Sequence, residues 1–200
     1  MTAEITRVEI RPATPADVTA IAAVRRASWF AAYDGIIDPV LIDRATAPGH
    51  ASPSPPYRST IVALGSVGAA ITEPRIVVGF ASFGPERTVD SAIPPPSPHP
   101  PSGPAGPLTP SGLAGETGEV YAIYVAPDAW STGAGRALMD AALTALRAAG
   151  YRRVVLWVLA GNARARRFYD KAGFAPDGAT NILAGLGGVE ELRYSRPLAP

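Results

Sequence analysis

The chain has 200 residues but no cysteine, a single lysine, two histidines and two methionines. The missing cysteines exclude disulfides, thiolate metal sites and a cysteine nucleophile. Both histidines, His50 and His99, stand in proline-rich stretches with no acidic cluster beside them, so neither a zinc site nor a Ser-His-Asp triad is supported and no metal is expected. A formal charge of +1 lacks the basic excess of a nucleic-acid or anionic-membrane binder. No run reaches the roughly 20 apolar residues of a membrane span. Residues 1–10 mix Glu4, Arg7 and Glu9 with isolated apolar residues, unlike a secretory signal. The expectation is a cytoplasmic protein with no nucleic-acid and no membrane partner.

What is present suits one domain over residues 1–200, with an apolar content of 47% to build its core. Nine prolines crowd among serine and glycine between 91 and 118, with almost no apolar side chain to bury. Packing does not offset the ordering entropy of such a segment. It reads as a flexible, partly polyproline-II loop inserted into the domain, because the strand-like runs on either side suit one sheet. Its composition leaves a docking site for a proline-recognising partner open.

Elsewhere the periodicity alternates between strand and helix. Residues 8–11 suit a short strand, and Thr14-Pro15-Ala16-Asp17 starts a helix with a hydroxyl N-cap, a proline at the first helical position and a carboxylate behind it. Trp29 and Tyr33 extend that helix as an aromatic stripe toward Asp34-Gly35; such a stripe either packs a core or walls a substrate pocket. A second short helix is expected over 36–44 and an irregular loop over 47–58. Residues 59–70 and 75–83 read as antiparallel strands joined through Thr72-Glu73-Pro74. Residues 119–125 read as a strand, 134–149 as a helix closed by Gly150, and the apolar run 154–159 as a strand buried on both faces, which together make a parallel crossover unit. A helix over 162–172 and strands from Phe174 and over 189–194 complete an α+β, or three-layer α/β, fold with a mixed sheet.

The join between strand 119–125 and its helix carries a glycine-rich loop, Trp130-Ser131-Thr132-Gly133-Ala134-Gly135-Arg136. Two glycines let the backbone approach a ligand, and the first helical turn offers free N–H groups at the positive end of the helix dipole, so an anion can sit there. A Rossmann site would need a third glycine and an acid on the next strand, and a Walker loop a lysine followed by Ser or Thr. The chain has neither. Ser131 also lacks the Gly-x-Ser-x-Gly elbow of a serine hydrolase.

Val125, Pro127, Gly133 and Gly135 instead fall in register with the loop Val-x-Pro-x-x-(Gln/Arg)-x-x-Gly-x-(Gly/Ala), which resembles the acetyl-CoA cradle of the GNAT superfamily of N-acetyltransferases. Trp130 departs from it, standing where Gln or Arg is usual. The segment Asn162-Ala-Arg-Ala-Arg-Arg-Phe-Tyr-Asp-Lys-Ala-Gly-Phe174 is similar to the family's Asn-x-x-Ala-x-x-Phe-Tyr-x-x-x-Gly-Phe, and residues 10–17 and 28–33 also look like such acetyltransferases.

The resemblance implies a mostly antiparallel mixed sheet with a central parallel β-α-β unit, whose fourth and fifth strands splay to admit the pantetheine arm. It implies a transfer of acetyl from acetyl-CoA to a primary amine of a small molecule or peptide, by direct attack in a ternary complex. Ile123, Tyr124 and Val125 would meet the pantetheine. Ser131, Thr132, Gly133, Ala134, Gly135 and Arg136 would hold the pyrophosphate, with Trp130, Asn162, Arg164 and Phe168 completing the donor site. Tyr169 matches the family tyrosine that protonates the CoA sulfur. Glu119 stands where several members carry a general base, or is a solvated strand-end carboxylate. Trp29 and Tyr33 would wall the acceptor pocket. A longer acyl donor, a homodimer, and a catalytically silent CoA-binding or partner-binding module stay open.

Overall fold

The computed structural model describes residues 5–47, 58–67, 75–87 and 116–198. The expected proline-rich insertion up to residue 115, both histidines and the 72–74 connection lie outside the described residues. Among these residues the chain forms one seven-stranded mixed sheet, and no helix is long and apolar enough to cross a membrane.

Strand β1 (Ile5–Pro12) leads to a one-turn 3-10 helix, Pro15–Asp17, and then to α1 (Val18–Ala32). The start is tied down by Asp17. Its Oδ2 accepts from the Thr14 N–H and hydroxyl at 2.7 and 2.8 Å, and Arg11 clamps both oxygens at 2.7 and 2.8 Å. The second helix starts three residues later than expected, as α2 (Pro39–Thr46), because Asp38 caps it by accepting from Val40 N at 2.7 Å and Pro39 takes its first turn.

Strands β2 (Ser59–Val67), β3 (Ile76–Pro85) and β4 (Thr117–Val125) follow as antiparallel neighbours. Thr117 and Gly118, which composition assigns to the insertion, belong to β4. Next come α3 (Ala134–Ala148), β5 (Arg153–Leu159), α4 (Ala163–Lys171), β6 (Ala175–Leu183) and β7 (Val189–Pro197). The sheet order is β1-β2-β3-β4-β5-β7-β6, so the last strand slots between β5 and β6.

Alternation along the strands divides the core between two faces. Val62, Phe80 and Ala122 pack against Ile21 and Val24 of α1, whereas Ala63, Val78 and Ala81 meet Ala134 and Leu138 of α3. Met139 and Leu146 of α3 join Leu156, Tyr169 and Tyr194 in the largest cluster. Helix α1 therefore covers one face, and α3 and α4 the other.

One feature of the sheet makes room for a ligand. Strands β4 and β5 pair only at Thr117–Arg153, Gly118–Val154 and Glu119–Val155, although both run on beyond. Just past that point the β3–β4 register slips: Ser82 pairs with Ala122 but Phe83 with Val120, which leaves Tyr121 as an extra residue. Such a β-bulge bends its strand and increases its twist, and here it falls where β4 parts from β5. The paired end is closed tightly, since a Cβ on Gly118 would lie 2.8 Å from Leu146 Cδ2 and 3.2 Å from Tyr151 Cγ.

Candidate active site

The chain leaves β4 through a one-turn helix, Pro127–Ala129, and reaches α3 through Trp130 to Gly133. Ser131 has φ +67° and Gly133, the N-cap of α3, φ +94°. Thr132 Oγ1 donates to Ala129 O at 2.8 Å and holds the turn. Helix geometry leaves the N–H groups of Ala134, Gly135 and Arg136 without intrahelical partners, and Gly133 has no side chain to cap them. These bare amides and the exposed Arg136 fit an anion such as a pyrophosphate.

Ala126 N donates to Val78 O at 2.8 Å, and backbone groups alternate between the edges of a strand. The peptide groups of Ile123 and Val125 therefore face the gap beside β5, where a ligand backbone would meet them. The Val125 carbonyl departs from that expectation. It already accepts from Ser28 Oγ and from Trp130 Nε1, each at 2.8 Å. Trp130, the departure from the loop pattern, thus braces the loop against β4, and its ring carries the Arg164 guanidinium 4.0 Å from the centroid. Asn162 caps α4 by accepting from Ala165 N at 3.0 Å.

A cavity of about 590 Å³ runs from this loop through the gap to the α1 face. All the residues expected from sequence line it except Glu119, Thr132 and Ala134. Tyr169, buried on α4, packs edge-on against Phe168 and Phe174 on the α3–α4 side, and burial pushes its phenol well above its ordinary pKa. On the α1 side, Trp29 stacks edge-to-face with Tyr33 at 5.2 Å, and the Tyr33 and Tyr124 hydroxyls lie 3.4 Å apart. Burial raises the pKa of both phenols.

Glu119 is neither solvated nor at the cavity wall. It is 1% exposed, and Arg87 grips it with both its guanidinium and its backbone N–H. Its position before the Tyr121 bulge, inside the paired part of β4, buries it.

Three wall residues have no clear signature in the sequence. Arg87 follows the Gly84-Pro85 end of β3, Ser28 lies inside the aromatic stripe, and Glu191 stands in the last strand. The Glu190-Glu191 pair in an otherwise mixed strand is the one visible hint for the last of these.

A split parallel pair with an uncapped glycine turn at its open end defines the class of fold found in N-acetyltransferases. The PaiA N-acetyltransferase from Thermoplasma acidophilum, in complex with coenzyme A, superposes with a TM-score of 0.60 at 16% identity, covering 94% of this chain and 98% of that one. An acetyltransferase from Kribbella flavida gives 0.59 at 23% identity, covering 96% and 98%. In sequence, a probable N-acetyltransferase of Mycobacterium tuberculosis is 26% identical over 91% of this chain and 88% of its own. A mycothiol acetyltransferase of Beutenbergia cavernae is 53% identical over 28% of this chain; the chain spans about 19% of that relative's length. The sequence profile of the acetyltransferase (GNAT) family matches residues 44–174. The chain belongs to that family.

Proposed function

We propose that the chain is an acetyl-CoA-dependent N-acetyltransferase that acts in the cytoplasm as a single domain and moves the acetyl group to a primary amine in a ternary complex. The observation that carries this reading is the gap between β4 and β5, ending on bare amides. The amides of Ser131 to Arg136 hold the pyrophosphate, and the Ile123 peptide edge with the Val125 N–H lines the pantetheine arm. Arg164, stacked on Trp130, and Phe168 close the outer side.

The donor supplies an acetyl thioester, and the residues around it manage charge and protons. Tyr169 reaches the gap from the α3–α4 face and donates a hydrogen bond where negative charge develops on sulfur. With its pKa raised above the reference of about 10, and thiols near about 8.5, the phenol is a better hydrogen-bond donor than net acid. Trp29, Tyr33 and Tyr124 wall the acceptor side opposite.

Calorimetric titration with acetyl-CoA, followed by thiol release over a panel of an alkylamine, a polyamine, an amino acid and a short peptide, tests this. Binding at micromolar concentration with thiol release for at least one amine is expected. Failure to bind defeats the reading, and binding without thiol release across the panel favours a silent CoA-binding module.

A further inference from the structure

The cavity holds a carboxylate that the donor site does not use. Glu191 is half-buried on β7, between Leu159 of β5 and Asn181 of β6, and lines the cavity. Leu192 and Tyr194 pack into the cluster that contains Tyr169, so strand alternation turns Glu191 to the other face, together with Arg193, whose guanidinium lies 5.9 Å from the Trp157 ring. Glu191 and Tyr169 therefore flank the gap from opposite faces of the sheet.

The surroundings of the two acidic candidates differ. Glu119 is gripped by a cation on both oxygens and shut away from the cavity. Glu191 accepts on Oε1 from the neutral amide of Asn181 at 3.0 Å. The charged and titratable groups that act on it are Arg87, Glu119, Tyr33 and Tyr124; its paired neighbours, Leu159 and Asn181, carry no charge. Burial makes it more basic than an ordinary glutamate, against the pull of Asn181 and Arg87.

We propose that Glu191 is the catalytic carboxylate that receives the acceptor ammonium and takes its proton before attack. This rests on the N-acetyltransferase reading above. The protons balance. The ammonium gives one to Glu191, and the neutral nitrogen forms the C–N bond as the C–S bond breaks and its electron pair leaves on sulfur. A second nitrogen proton ends on sulfur, directly or through the Tyr169 hydroxyl, and Glu191 returns its own to solvent. An ammonium and a thioester become an amide, a thiol and one released proton.

The test compares Glu191→Gln, Glu119→Gln and the wild type in the full chain, by kcat/KM against pH with acetyl-CoA and the amine of the panel turned over fastest. Glu191→Gln is expected to lose kcat/KM on the order of 100-fold and to flatten the acidic limb, while acetyl-CoA affinity stays within about twofold and Glu119→Gln keeps the limb. An unchanged limb in Glu191→Gln overturns the assignment and leaves the acetyltransferase reading standing; a wild type without turnover overturns both. If Glu191→Gln fails to fold, Glu191→Asp should keep the limb at reduced rate, and a rate equal to wild type sinks the proposal. Carboxylate ¹³C NMR of the wild type needs no acceptor. A glutamate titrating above the ordinary range, absent from Glu191→Gln, is expected, and its absence from the wild type overturns the proposal.

Discussion

Arg87 closes on Glu119 through three groups: its Nε donates at 3.0 Å, its Nη2 makes a still shorter contact, and its backbone N–H adds a bond at 2.9 Å. The carboxylate is buried and the Arg87 side chain is 22% exposed. The pair ties the chain leaving β3 to the first residues of β4, next to the only paired stretch of β4 and β5.

Removing one partner of such a pair strands the other. Glu119→Ala is expected to cost about 2 kcal/mol, less than the roughly 3–5 of a fully buried pair because water reaches Arg87. Urea unfolding measures it. Intact stability with abolished turnover at saturating substrate would instead return Glu119 to the role of base.

Tyr169→Phe removes a hydroxyl and leaves the ring packing with Phe168, Phe174 and Tyr194 in place. Losing a hydrogen bond to a developing charge is worth about 1.5–3 kcal/mol, so kcat should fall on the order of 10–100-fold with acetyl-CoA affinity unchanged. Equal rates for the two proteins would remove Tyr169 from the chemistry.

Gly79 faces Val125 across β3 and β4, and a Cβ there would stand 3.0 Å from both Tyr124 O and Leu138 Cδ1. The backbone oxygen cannot swing aside as a side chain can. Gly79→Ala should therefore destabilise the fold by about 1–3 kcal/mol and raise the KM for acetyl-CoA, because it pushes on the strand end that carries the donor edge. Steady-state kinetics with a thermal melt checks both; a change in neither would mean that β4 yields freely.

Asp17 is held well below the usual carboxylate range, chiefly by the Arg11 hydrogen bonds and also by Thr14, against the opposing effect of burial. A lowered folded-state pKa adds stability above the unfolded value, near about 3.9, and loses it as pH falls toward the folded one. Asp17→Asn should be less stable than wild type by about 1 kcal/mol at pH 6, and the gap should shrink below pH ~4. Parallel denaturation curves at the two pH values would show it, and a gap independent of pH would contradict it.

Local chemistry in this chain was written locally. Thr14 to Asp17 announces a helix start, Gly150 a helix stop, and the loop from Trp130 to Arg136 a glycine turn onto a helix N-terminus, because caps and glycine turns depend on a few neighbouring residues. Asn162 and Tyr169 stand out as candidates through the resemblance of the segment from Asn162 to Phe174 to the family pattern. Arg87 has no local signature and Glu191 only the hint of its paired glutamate, because their places come from pairing at a distance: Arg87 meets a carboxylate 32 residues away, and Glu191 gains its place only when β7 slots between β5 and β6. The solvated reading of Glu119 fails for a related reason. Its burial follows from strand register and from the Tyr121 bulge, which no periodicity reveals.

The short ladder between β4 and β5 has a mechanical side. Past Glu119 the two half-sheets share no backbone bonds along this seam, so a donor lodged in it would act as a keystone, bridging Ile123 and the α3 amides to Asn162 and Phe168. The same molecule would then be fuel and strut. On that reading, the two half-sheets of a chain without donor would be less firmly joined along this seam.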